Sequence, residues 1–117
     1  MDNVCSIVPY FQIHEGKLED MKKLCETFIE KTKTEDKCLY YGFCFNGNVM
    51  HCREGYEGAE GVLAHIENVG ELIDEALTIS ELFRFEIHGN AEELVKLKEP
   101  LKSLDPEYYT WELGFRK

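Results

Sequence analysis

The chain has 117 residues, 44% hydrophobic and 31% charged, with a formal net charge of −10. That balance suits one globular domain over residues 1–117 with a modest core, not a disordered chain. Its 13 Lys and Arg against 23 Asp and Glu disfavour partners such as nucleic acid or an anionic membrane surface.

No apolar run approaches the roughly 18 residues needed to cross a bilayer. The start, Met1-Asp2-Asn3-Val4, carries an acidic residue and no basic stretch, which argues against a secretory signal and for a cytoplasmic protein.

Val4 to Ile13 is short, β-branched and aromatic, the pattern of a strand, and Pro9 suits an edge or a bulge. After the turn His14-Glu15-Gly16, Leu18 to Thr34 reads as an amphipathic helix, with Leu18, Met21, Cys25 and Phe28 on one stripe. Cys38 to Phe45 and Val49 to Tyr56 flank Asn46-Gly47, a hairpin signal in which both central residues take positive φ. On the second of these strands, alternation puts Met50, Cys52, Glu54 and Tyr56 on one face and His51 and Arg53 on the other.

Ala59 to Thr78 is predicted as one helix whose apolar stripe runs through Val62, Ile66, Val69 and Ile73, with His65 at its border. Gly61 and Gly70 weaken it by about 1 kcal/mol each relative to Ala, so packing must hold it. Leu82 to Ile87 is a fourth strand. Asn90 can cap a short helix to Lys98, stopped by Pro100, and Tyr108 to Phe115 alternates as a last strand.

The five cysteines form no CxxC pair and read as reduced core residues. A cluster of Cys44, His51 and Cys52 has no zinc-like spacing, so neither a metal nor any cofactor is expected.

The order β-α-β-β-α-β is the split βαβ of a ferredoxin-like α+β fold, an antiparallel sheet with its helices on one face. Both sides of these strands carry large apolar residues, so the uncovered face implies a homodimer packed sheet to sheet. His51 belongs to that interface, whereas His14 and His88, beside turn glycines, belong to solvent.

With Gly16-Lys17 after the first strand, Glu19-Asp20 opening the helix, Glu54-x-Tyr56 ending the third strand and His65 nine residues after the aromatic, the chain resembles the antibiotic biosynthesis monooxygenase type of dimeric α+β barrel proteins. The resemblance implies a cofactor-independent monooxygenase, an isomerase or a protein without turnover. Haem degradation is disfavoured: Asn3 precedes the first strand, His65 stands where those enzymes have tryptophan, and Trp111 lies on the last strand.

The leading expectation is oxygenation of a small aromatic or quinol-type substrate that supplies its own electrons. His65 has the intrinsic pKa of the base, and Glu54 can fix its tautomer. Tyr56 can hold a substrate oxygen, Met50, Cys52 and Tyr41 can line an apolar wall, and Trp111 can stack on the ligand. The alternatives are an O2-independent isomerase or lyase with His65 as proton shuttle, or a non-catalytic dimer that binds a small molecule. Structural roles compete throughout: Glu54 can pair with Arg53 or Arg84 or cap the following helix, and Tyr56 and Trp111 can be core.

Overall fold

A computed structural model describes residues 2–117. The elements are β1 (Val4–Ile13), α1 (Leu18–Thr32), β2 (Cys38–Asn46), β3 (Val49–Glu57), α2 (Gly58–Asn68), α3 (Gly70–Ala76), β4 (Ser80–Gly89), α4 (Ala91–Leu97), a 3-10 turn (Lys102–Leu104) and β5 (Glu107–Thr110). They form the α+β arrangement expected: one sheet, ordered β2-β3-β1-β4-β5, with the helices on one face. β1 to β4 pair antiparallel, and β5 adds a short parallel edge beside β4.

β1 is the central strand, so Pro9 does not mark an edge. A bulge adjoins it instead: Tyr10 pairs with Arg84 and Phe11 with Leu82, leaving Phe83 as the extra residue. The β2–β3 turn also differs by one position. Asn46 pairs with Val49, so the loop is Gly47-Asn48, and only Gly47 takes positive φ. Glycine at the first central position is the type II′ solution, which needs one left-handed residue, not two.

The long second helix is two. Val69 (φ −107, ψ 12) interrupts it before Gly70, although its N–H still bonds His65 O at 3.0 Å and its carbonyl accepts from Ile73. The break is therefore a local kink that keeps these two i→i−4 bonds, and it falls beside Gly70, a poor helix former. The first helix ends at Thr32, and Asn90 caps α4 as expected, its side chain accepting from Glu93 N at 2.9 Å.

The core lies between sheet and helices in two clusters. One gathers Cys5, Ile7, Tyr56, Val62 and Ile87 under α2 and α4; the other gathers Ile13, Met21, Phe28, Met50 and Val69 under α1 and α3. Cys5, Cys25 and Cys52 are buried, but Cys38 is half-buried and Cys44 is exposed, so only three of the five are core residues. On the open face Tyr10 stacks on His51 at 4.4 Å, Phe83 packs beside it, and His51 Nδ1 donates to Pro9 O at 2.8 Å. No helix among the described residues is long and apolar enough to cross a membrane.

Candidate functional site

β3 runs into α2 without a loop. Gly58 (φ +71) makes the reversal, and its N–H donates to Asn3 O. The first free N–H of α2, on Ala59, is taken by Glu93 of α4 at 2.8 Å, so Glu93 and not Glu54 serves that helix start. Gly61 then lets the helix settle on the strand: a Cβ there would lie 2.9 Å from Tyr56 Cβ and 3.0 Å from Lys37 Cβ. One turn later His65 arrives over β3, fully inside the buried stripe at 3% exposure and not at its border.

Alternation aims Met50, Cys52, Glu54 and Tyr56 of β3 at the helices, as expected. Tyr56 donates to Glu54 Oε1 at 2.6 Å, and His65 Nε2 lies 3.4 Å from the same oxygen. The other ring nitrogen, Nδ1, meets both oxygens of Glu35 at 3.1 and 2.9 Å. Glu35, from the loop between α1 and β2, is held in turn by Asn68 Nδ2 at 2.8 Å. A carboxylate can only accept from Nδ1, so His65 carries its proton there and turns the Nε2 lone pair toward Glu54. Glu35, not Glu54, fixes the tautomer.

Burial pushes the Glu54 carboxyl up to about 7, even though Tyr56 and Cys52 hydrogen bonds favour its anion and Glu35 adds a further upward push. Burial also holds His65 below its ordinary value, against the pull of Glu35. The thiol of Cys52 and the phenols of Tyr41 and Tyr56 are raised by desolvation and stay protonated. Near neutral pH the group poised to exchange a proton is thus Glu54, beside a neutral imidazole.

Glu54 and His65 line a partly enclosed cavity of about 60 Å³ between sheet and helices, with Tyr41, Met50 and Cys52 among its walls. Its lining includes no Lys or Arg. Tyr56 does not line it, because its hydroxyl is spent on Glu54 and its ring is core. Trp111 is remote, beyond the end of β5 among Asp2, Ser6 and Phe115, with its indole N–H donating to Leu113 O. It offers the cavity no stacking surface. Arg84 pairs with Glu86 on the open face, and no ion pair joins either Arg53 or Arg84 to Glu54 among the described residues. Cys44 and His51 face away from Cys52, so the three do not converge.

Glu35 is the site residue that sequence reasoning missed. It sits in a polar loop, Thr34-Glu35-Asp36-Lys37, with no periodicity to single it out. The one signal is indirect: Asn68 falls one turn after His65, so a polar partner for that helix edge was required.

Comparison with protein-family models and with curated proteins gives no match. Among solved structures, the chain is similar over 100% of its length to MupZ from Pseudomonas fluorescens, covering 91% of that chain at 46% identity and a TM-score of 0.96. A Nitrosomonas europaea protein provisionally named an antibiotic biosynthesis monooxygenase matches at 14% identity and a TM-score of 0.69, over 78% of this chain and 93% of its own. A further structure, described as an antibiotic biosynthesis monooxygenase, matches at 15% and 0.62, over 71% and 92%. These last two likenesses show the fold alone.

Proposed function

The chain belongs to the family of MupZ, with the antibiotic biosynthesis monooxygenase-like fold, and from that premise we propose that it is an acid–base enzyme. It acts on a small, mainly apolar molecule held between sheet and helices, as an isomerase or lyase that consumes no O2. The observation that carries this is the Glu54 carboxyl, raised to about 7 and facing an apolar cavity beside a neutral His65. Such a group takes a proton from one substrate atom at neutral pH and returns it to another. Tyr56 holds the carboxyl in one orientation through the transfer. The expected base thus passes from His65 to Glu54, with His65 as its partner.

A cofactor-independent monooxygenase acting on an aromatic or quinol-type substrate is the second reading. It is supported by the aromatic walls of the cavity at Phe28, Tyr41 and Phe43. Against it stands the charge of the site. Oxygenation requires a phenolate to persist, and a cavity lined by the Glu54 carboxyl and by no Lys or Arg gives a further anion no counter-charge. Oxygen uptake measured with a panel of hydroquinones separates the two. No uptake above the Glu54→Gln background is expected, and Glu54-dependent uptake would sink the acid–base reading.

The reading includes a homodimer in the cytoplasm. The open sheet face carries Val8, Tyr10, His51 and Phe83, with Phe83 56% exposed in one chain, an apolar area suited to a second copy of itself. Five free thiols suit a reducing compartment. Sedimentation at micromolar concentration is expected to give twice the chain mass; a stable monomer would overturn the dimer.

A further inference from the structure

A carboxyl that works against a partly enclosed apolar cavity must regain its protonation state after each transfer. Three features bear on how. His65 spans the distance between Glu54 and Glu35, with Nε2 toward one and Nδ1 on the other. Glu35 stands at the boundary: its side chain is only 7% exposed, yet it lines an open surface cleft of about 250 Å³ between the end of α1 and β2. Asn68 donates to Glu35 and to Lys31 O, anchoring the carboxylate across two elements.

We propose that Glu35 and His65 form a proton relay that connects Glu54 to solvent at this cleft, with Glu35 as the outer positioning residue. The relay rests on the reading of Glu54 as the proton-transferring group. In the outward step Glu54 gives its proton to His65 Nε2 while the Nδ1 proton passes to the Glu35 carboxylate, which releases it to water. In the inward step Glu35, reprotonated from water, returns a proton to Nδ1 as the Nε2 proton goes back to Glu54. The outward step ionises Glu54 and delivers one proton to solvent, and the inward step takes one up and reprotonates Glu54. Together they restore the starting tautomer with the proton on Nδ1 replaced and no net change of charge.

The 3.4 Å gap at Nε2 closes to hydrogen-bond length with a few tenths of an ångström of side-chain movement. Glu54 Oε1 can serve both neighbours, since the Tyr56 hydroxyl occupies only one of its lone pairs. The other titratable groups around the relay are Cys38 and Tyr41 of β2 and Cys52 and Tyr56 of β3, all held protonated by burial and so passive near neutrality.

The test needs no substrate. Infrared spectra at pH 6 identify the protonated Glu54 carbonyl as the band lost in Glu54→Gln, and a rapid jump from pH 6 to pH 8 times the loss of that band as Glu54 ionises. In Glu35→Gln, which keeps the shape and the acceptor for Nδ1, that loss is expected to slow at least about tenfold. An unchanged rate would overturn the relay. Should that variant fold poorly, nitrogen NMR of the intact protein at pH 6, where Glu54 holds its proton, decides: His65 protonated at Nδ1 supports the relay, and protonated at Nε2 overturns it. Absence of any protonated Glu54 band instead removes the acid–base reading itself, so the two failures are told apart.

Discussion

Glu54, on the helix-facing side of β3, and Glu86, on the open side of β4, are 5% and 7% exposed. Their carboxyls nevertheless move in opposite directions. Glu86 is held below the usual carboxylate range, first by the His88 hydrogen bond at 2.8 Å and then by Arg84, despite some desolvation. Glu54 is raised to about 7, because desolvation there meets only neutral donors and the negative Glu35. Low exposure alone therefore does not make a reactive acid: Glu54 lies deep between sheet and helices, Glu86 lies shallow on the sheet surface beside His88 and Arg84, and depth and neighbours together set the sign. Glu86 is a paired structural charge, and Glu54 has the environment of a proton-transfer group.

The comparison can be broken most severely at Glu54. Glu54→Gln is expected to lower turnover by about 10²–10⁴-fold with the fold retained, while Glu86→Gln leaves turnover within a few fold; equal losses would erase the distinction. Stability against pH gives the next test. Glu54 binds its proton more tightly folded than unfolded, so its contribution is full below the ordinary 4.5 and is lost as pH rises to about 7. The loss is about 3 kcal/mol by linkage, and urea unfolding is expected to show it in wild type but not in Glu54→Gln. Glu86 has the opposite sign: its stabilisation is present above 4.5 and is lost as pH falls through its lowered value.

A charge placed on the open face probes the other half of the comparison. Tyr10→Glu is expected to weaken self-association about 100-fold by sedimentation, because an unpaired charge at an apolar contact costs a few kcal/mol. Turnover per folded chain measures whether the cavity depends on that contact. The smallest effect belongs to Arg84→Ala. Arg84 is half exposed and its pairing is screened by solvent, so releasing Glu86 from it is expected to move the urea midpoint at pH 7 least of these changes.

The fold was legible where periodicity was strong. The alternation in β3 and the stripe in α1 carry one repeat each, and both strands of the hairpin follow from their composition. The misplacements occurred where backbone conformation depends on distant contacts. The turn moved one residue to Gly47-Asn48 because strand register, not the dipeptide, sets the loop. The Val69 kink depends on two clusters of core beneath one apparent helix. At the site, Glu54, Tyr56 and His65 were found because strand and helix spacing oriented them. Glu35 was not, because a loop carboxylate acquires its role only when the chain closes over His65. Trp111 was misread for the same reason in reverse, as β5 ends at Thr110 and the ring turns back on its own tail.

The kink at Val69 divides the cavity wall by its attachments. His65 belongs to α2, seated on β3 through Gly61 and tied to Glu35, whereas Ile73 and Ala76 belong to α3, on the far side of the break. The Glu35–His65–Glu54 contacts and the far wall of the space are thus built on separately anchored pieces, so substitutions in α3 can reshape the cavity while those contacts stay intact.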